Sequence, residues 1–218
     1  MTPIRFATPL LLACCLLLAA CESAYYGGME KMGIHKRDIL VDRVKAAQVS
    51  QREGQQQFKS ALEQFRAVVN VQGGDLQQAY DKLNSEYEDS VAAAKDIRER
   101  IDKVESVAQA LFKEWEQELS QYSNAKLKQD SATKLRQTRS QYQRLIGAMR
   151  GAEQRIAPVL QPMHDQVLYL KHNLNARAIG SLRGELADIS GLVDTLIRSM
   201  EQSIAVADRF IQQMKTTG

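Results

Sequence analysis

Two apolar ladders with a seven-residue step run side by side through the middle of the chain. One is Leu76, Leu83, Ser90, Ile97, Val104 and Leu111; the other is Tyr80, Tyr87, Ala94, Ile101, Ala108, Trp115 and Tyr122. A seven-residue apolar repeat keeps one stripe of an α-helix turned toward a partner. This one lasts roughly 47 residues, about 70 Å of helix at 1.5 Å per residue. A lone helix of that length has no core, so the seam needs neighbouring helices to cover it.

The remaining sequence supplies them. Leu40, Val44, Ala47, Phe58, Ala61, Phe65 and Val68 follow three- and four-residue spacings, with Gln51 and Gly54 on the same stripe. Asn70 and Gly73-Gly74 close this first helix, because glycine accepts the left-handed terminal conformation, and Asp75 suits the N-cap of the next. After a turn at Ser123-Asn124, a third helix carries Leu135, Thr138, Tyr142, Leu145, Met149, Ala152 and Ile156. Pro158 and Pro162 lack the amide hydrogen of a helix interior, so the chain kinks or turns there. A last helix over about residues 163–214 carries Val167, Leu170, Leu174, Ala178, Leu182, Leu186, Ile189, Val193, Leu196, Met200, Ile204, Ala207 and Ile211. No stretch alternates like a strand. With 12 Gly and 4 Pro in 218 residues, a sandwich or propeller is excluded for want of turns. The expected fold is all-α: an elongated antiparallel bundle of three to four long, coiled-coil-like helices over residues 36–218.

Charge selects one helix pairing. Residues 75–122 hold 12 acidic and 6 basic side chains, a net −6, whereas residues 125–156 hold 2 acidic and 8 basic, a net +6. Consecutive helices joined by a short turn pack antiparallel, which would flank one seam with opposite charges. The rival reading of residues 125–156 is a basic surface for nucleic acid or anionic lipid. Nucleic acid is set aside, because the whole chain is only +3 and the segment ahead of it reads as an export signal.

That segment is the N-terminus. Arg5 precedes an uncharged stretch, residues 6–20, that is too short for a spanning helix, which needs about 20 residues. It ends in Leu18-Ala19-Ala20-Cys21, the pattern of a bacterial lipobox: an aliphatic residue, two small residues and a thiol. Residues 1–20 are thus expected to be a lipoprotein signal peptide, with Cys21 lipidated after cleavage. Cys14 follows a weaker partial match that leaves too short an apolar stretch. Glu22 is not the aspartate that retains lipoproteins in the inner membrane, so the periplasmic face of the outer membrane is expected. Residues 21–35 then form a lipidated tether, with about 14 residues after the cysteine, reaching at most roughly 50 Å extended and about 20 Å as a flexible coil.

Chemistry-bearing motifs are missing. All three cysteines, Cys14, Cys15 and Cys21, lie in the leader region, leaving no thiolate for catalysis, disulfides or metal in the body. There is no phosphate-binding glycine loop, no nucleophile elbow and no His-Glu-x-x-His. None of His35, His164 and His172 has a glutamate three residues before it, as a di-iron bundle requires. No enzyme activity, cofactor or metal is expected. Leu170, Leu174, Ala178, Leu182 and Leu186 step by four, which reads as a stutter in the supercoil. Ala176, Gly180, Gly184, Ala187 and Gly191 line another face. Tight packing within the bundle explains them; a docked partner helix or self-association is the alternative. Lys171, His172, Asn173, Asn175 and Arg177 lie beside them, and with Gly180 and Gly184 they form a candidate partner patch. The functional expectation is a structural or adaptor lipoprotein of the envelope, binding an envelope protein or a second copy. The alternative is a bundle that holds a small ligand, lipid or metal.

The run Met32-Gly33-Ile34-His35-Lys36-Arg37-Asp38-Ile39-Leu40-Val41 and the run Gln166-Val167-Leu168-Tyr169-Leu170-Lys171-His172-Asn173-Leu174-Asn175-Ala176-Arg177-Ala178-Ile179 resemble the domain of unknown function 2959 family of proteobacterial helical lipoproteins. Gly73-Gly74-Asp75-Leu76 and Leu111-Phe112-Lys113-Glu114-Trp115 fit it as well. The resemblance covers nearly all of the mature chain. It implies a secreted or lipid-anchored helical protein and carries over no catalytic residue.

Overall fold

The computed structural model describes residues 35–70 and 76–216, apart from the side chains of Ala176, Arg177, Ala178 and Ser181. Five α-helices follow one another: α1 Lys36–Val69, α2 Leu76–Glu118, α3 Ala125–Glu153, α4 Ile156–His172 and α5 Ala176–Thr216, with a 3₁₀ turn Leu119–Gln121 after α2. No strand occurs among the described residues.

The helices stand as four columns. Pairs between α1 and α2 run in opposite senses, Lys36 with Glu114, Ser50 with Asp96 and Ser60 with Glu86. From α2 to α3 the sense reverses again, through Trp115 with Ser131, Arg139 with Glu116 and Arg98 with Glu153. Tyr87 and His164, with ring centroids 5.4 Å apart, continue that register into α4. The helices α3 and α4 therefore form one broken column. The return column, α5, is antiparallel to α1: Gln48 donates to the Ile204 carbonyl, Gln55 to the Ile197 carbonyl, and Arg183 to the Val69 carbonyl. Each column packs on its two neighbours in an up-down-up-down ring.

The ladders of α2 are where the core sits. Leu83, Ser90, Ile97, Ile101, Val104, Ala108 and Leu111 are all buried, against Leu40, Phe58 and Phe65 of α1, Leu145 and Met149 of α3, and Val193, Leu196 and Met200 of α5. Tyr80, Tyr87 and Trp115 are half-buried, and Tyr122, beyond the helix end, is exposed. Asn70 ends α1 as anticipated, its N–H bonded to the Ala67 carbonyl at 3.2 Å. Gly73, Gly74 and Asp75 lie outside the described residues. Asn124 begins α3 as its N-cap, its Oδ1 accepting from the Lys126 and Leu127 amides at 2.9 and 3.1 Å.

The second half of the chain differs from the expectation in two places. The break after α3 falls at Gln154 and Arg155, ahead of both prolines. Pro158 then occupies the first turn of α4, where a missing amide hydrogen is tolerated, and α4 passes through Pro162 without ending. The expected last helix is also two helices, parted at residues 173–175. Asn173 turns its side chain back to donate to the Tyr169 carbonyl at 3.0 Å, taking an acceptor the helix would otherwise use. The four-residue run of Leu170, Leu174, Ala178, Leu182 and Leu186 is thus no stutter in a supercoil. It crosses an αα-hairpin, with Leu170 and Leu182 buried on either side.

Candidate functional site

The lipobox residues Leu18, Ala19, Ala20 and Cys21 and the sorting residue Glu22 all lie outside the described residues. What the structure gives is the end of the bundle to which they lead. His35 opens α1, its carbonyl accepting from the Asp38 amide at 2.9 Å and the Ile39 amide at 3.1 Å.

At that same end α3 stands away from the bundle. Residues 121–130 are all exposed, and Leu135 is the first buried residue of α3. Beneath this overhang lies a cleft of about 810 Å³ contributed by four helices. Its floor is Leu111 and Trp115 of α2, Thr138 of α3 and Met214 of α5. Tyr122 and Leu127, 41% and 54% exposed, form an apolar wall. Arg37, Lys126 and Lys134 stand at the rim with a single carboxylate, Asp130. The Trp115 Nε1 donates to Ser131 Oγ at 2.8 Å and fixes the indole across the cleft. Sequence reasoning missed this site. Its local trace was Leu127, an apolar residue between two lysines and off the buried stripe.

Charge pairing along the α2–α3 hairpin is as expected from the opposed charges. Arg150 forks between Asp102 and Glu105 of α2 and also bonds Glu153 at 2.8 Å, while Arg98 reaches Glu153 from α2 at 2.7 Å. Hydrogen bonding to Glu105 is the largest influence on Arg150 and, with Asp102 and Glu153, raises its pKa against the opposing effect of burial. Burial works against ionisation of Glu153, yet the bonds from Arg150 and Arg98 hold its pKa below the usual value. Tyr142 is pushed up to about 12, by burial first and the Glu105 charge second. Arg139 bonds Glu116 at 2.7 Å and lies 5.1 Å from the Phe112 ring centroid. The basic helix divides: Arg139 and Arg150 are neutralised by α2, whereas Lys126, Lys128 and Lys134 make no ion pair among the described residues.

The partner patch assembles at the opposite end. Lys171 and His172 are exposed at the close of α4, Asn173 and Asn175 form the α4–α5 connection, and Gly180 and Gly184 are exposed on α5. The Arg177 side chain lies outside the description. A methyl group on Gly180, Gly184 or Gly191 would meet no atom within 4 Å. Tight packing inside the bundle therefore does not account for these glycines, which face outward. Leu168 and Tyr169, also exposed, add apolar surface that the sequence reading left out. The three histidines are dispersed: His35 at one end, His164 against Tyr87, and His172 at the α4 terminus. No group of three metal-ligating side chains gathers among the described residues, nor is any of their helices long and apolar enough to cross a membrane.

Fold and surface together define an all-helical four-column bundle with no sign of catalytic machinery among the described residues. The chain belongs to the family described as protein of unknown function, DUF2959, whose model matches residues 25–214. No curated protein and no solved structure matches it.

Proposed function

We propose that this protein is a noncatalytic lipoprotein held by acyl chains on Cys21 at the periplasmic face of the outer membrane. Its bundle would serve as a structural or adaptor module for an envelope protein or for a second copy. The observation that carries this reading is Leu18-Ala19-Ala20-Cys21 at the close of a short uncharged stretch, followed by Glu22. The thioether needs a thiol, and several acyl chains, at about 0.8 kcal/mol per buried CH₂, give stable anchoring. The bundle geometry supports it, because α1 starts at an end of the columns, leaving their full length free to project. Replacing Cys21 with Ser tests the reading. The expected product is an unprocessed precursor without acyl chains, seen by mass spectrometry of protein from membranes. A processed, acylated Cys21→Ser protein would overturn the anchor. A second reading, a bundle that binds a small ligand or lipid, is favoured by one observation, the cleft of about 810 Å³ beneath the start of α3.

A further inference from the structure

The α2–α3 hairpin outruns the helix beside it. Lys36 Nζ meets Glu114 at 2.9 Å, so α1 begins level with Glu114. The chain of α2 and its 3₁₀ turn continues to Gln121, about 10 Å further at 1.5 Å per residue. The inner side of that projection is the cleft beneath the start of α3, where Tyr122 and Leu127 are exposed beside the half-buried Trp115. Its charges select no ionic occupant. Arg37, Lys126 and Lys134 line it with Asp130, and Asp38 and Glu118 stand on the adjoining helix ends. The apolar surface is what is left to cover.

The chain that enters α1 passes this point. Arg37 lines the cleft, and His35, with φ −81° and ψ 147°, turns the incoming backbone off the α1 axis. Residues 25–34 carry Tyr25, Tyr26, Met29, Met32 and Ile34, five large apolar or aromatic side chains in ten residues, with one acid, Glu30, and one base, Lys31. A spacer needs only length and polar or small residues, and these five side chains gain from leaving water. The family match begins at residue 25, so it takes in this segment and leaves out the residues next to Cys21. Ten residues reach at most about 35 Å, enough to cross the end of a bundle whose columns stand about 10 Å apart.

We propose that the chain's own residues 25–34 dock in this cleft, with Tyr25, Tyr26, Met29 and Met32 packing on Trp115, Tyr122 and Leu127. Methionine suits an irregular cleft beside an indole, since its thioether adapts in shape and contacts aromatic rings favourably. Glu30 and Lys31, adjacent and opposite in sign, match a rim of balanced charge. The consequence for the membrane rests on the anchored reading above: only residues 22–24 then separate Cys21 from the docked segment, a reach of at most roughly 15 Å. This end of the bundle is held against the bilayer instead of hanging from a long tether, and a ligand enters the cleft only by displacing the segment.

Disulfide trapping in the full chain tests the docking, because the bond forms only where two Cα atoms come within about 7 Å. Met29→Cys/Leu127→Cys and Met32→Cys/Leu127→Cys are oxidised with copper phenanthroline in whole cells, and peptide mass spectrometry identifies which cysteines are joined. Leu127 is 54% exposed, so its replacement does not put folding at risk. The expected product is a disulfide within one chain in at least one pair. Its yield should be several times that of Met29→Cys/Lys113→Cys, since Lys113 is exposed beside Glu114 but does not line the cleft. Trp115, the only tryptophan of the chain, gives a second readout. In purified chain reconstituted in phosphatidylcholine vesicles, Met29→Ser/Met32→Ser should red-shift its emission and strengthen its quenching by acrylamide. No disulfide in either Leu127 pair, equal yield at Lys113, a bond joining two chains, or unchanged Trp115 emission would each overturn the proposal. Acylation of Cys21 is read in the same mass spectra. An unacylated Cys21 with the Leu127 disulfide present removes the anchor and leaves the docked segment standing, whereas an acylated Cys21 without that disulfide does the reverse.

Discussion

Gly54 of α1 faces Ile97 of α2 so closely that a methyl group on the glycine would lie 2.7 Å from the Ile97 Cδ1. Glycine inside a helix costs about 1 kcal/mol relative to alanine, and here the close approach of two columns accounts for its presence. The atom in the way is the tip of a side chain, so the conflict can be relieved from the other helix. Gly54→Ala alone is expected to lower stability by about 1 kcal/mol or less, the helix-propensity gain offsetting part of the overlap. In an Ile97→Val background, which removes Cδ1, the same change should raise stability by about 0.5–1 kcal/mol. A double-mutant cycle by chemical denaturation checks this. Strict additivity would show that the two residues do not meet.

Gln51 is 0% exposed, and neither its amide nitrogen nor its oxygen has a hydrogen-bond partner. Its neighbours on α1, Gln48 and Gln55, both reach carbonyls of α5. Gln51 points instead into the apolar interior, and Ser203 on α5 also buries an unpartnered hydroxyl. A buried polar group without a partner costs about 1–3 kcal/mol. Gln51→Met, similar in volume, should therefore stabilise the bundle by about 1 kcal/mol and raise its melting temperature by about 2–4 °C. A lower melting temperature would show that the amide is satisfied in solution.

Ile101 is fully buried in the α2 seam. Ile101→Asp would bury an unpaired carboxylate, and a loss of several kcal/mol is expected, a large share of the 5–15 kcal/mol typical of a domain. Arg98 has the helical position of a neutral comparison and is 68% exposed, but it bonds the nearly buried Glu153. Arg98→Asp would set two carboxylates together. Lys103, exposed on α2, is the better comparison, and Lys103→Gln should change stability by under about 0.5 kcal/mol. Circular-dichroism melts of both variants test the seam. Matching melting temperatures would mean that it is uncovered.

Acid should weaken the α2–α3 hairpin through Glu153. Its pKa is depressed in the fold, burial being outweighed by the Arg150 and Arg98 bonds. A depressed carboxyl contributes stability that is fully present above its unfolded pKa and is lost as pH falls through the folded value. Melting temperature should therefore drop below about pH 4.5, the region of the unperturbed carboxylate. The drop should be shallower in Glu153→Gln. An identical acid limb in that variant would exclude Glu153 as a contributor.

Sorting can be tested at Glu22. If the residue after the lipidated cysteine directs the protein outward, Glu22→Asp should move it from outer-membrane to inner-membrane fractions on a density gradient. An unchanged profile would remove Glu22 from the sorting argument while leaving Cys21 in place.

Burial within a helix follows from local geometry, since residues three, four and seven apart share a face whatever the partner is. That is why the ladders alone determined that Leu83, Ile97, Ile101, Val104 and Ala108 would be covered, and they are. The opposed charges of residues 75–122 and 125–156 likewise determined which helices pair, because a short turn leaves antiparallel packing as the near neighbour. Other features depend on how the columns meet. The apolar stripe continues in phase through residues 173–175, so periodicity could not reveal that Asn173 breaks the helix by bonding backward to the Tyr169 carbonyl. Whether Gly180 and Gly184 are packed or open depends on where the neighbouring columns lie, and those columns leave them open. The cleft draws Arg37, Trp115, Lys134 and Met214 from four separate helices. No sequence spacing relates these residues; only the closure of the up-down-up-down ring brings the start of α1, the end of α2, the overhang of α3 and the end of α5 to one place.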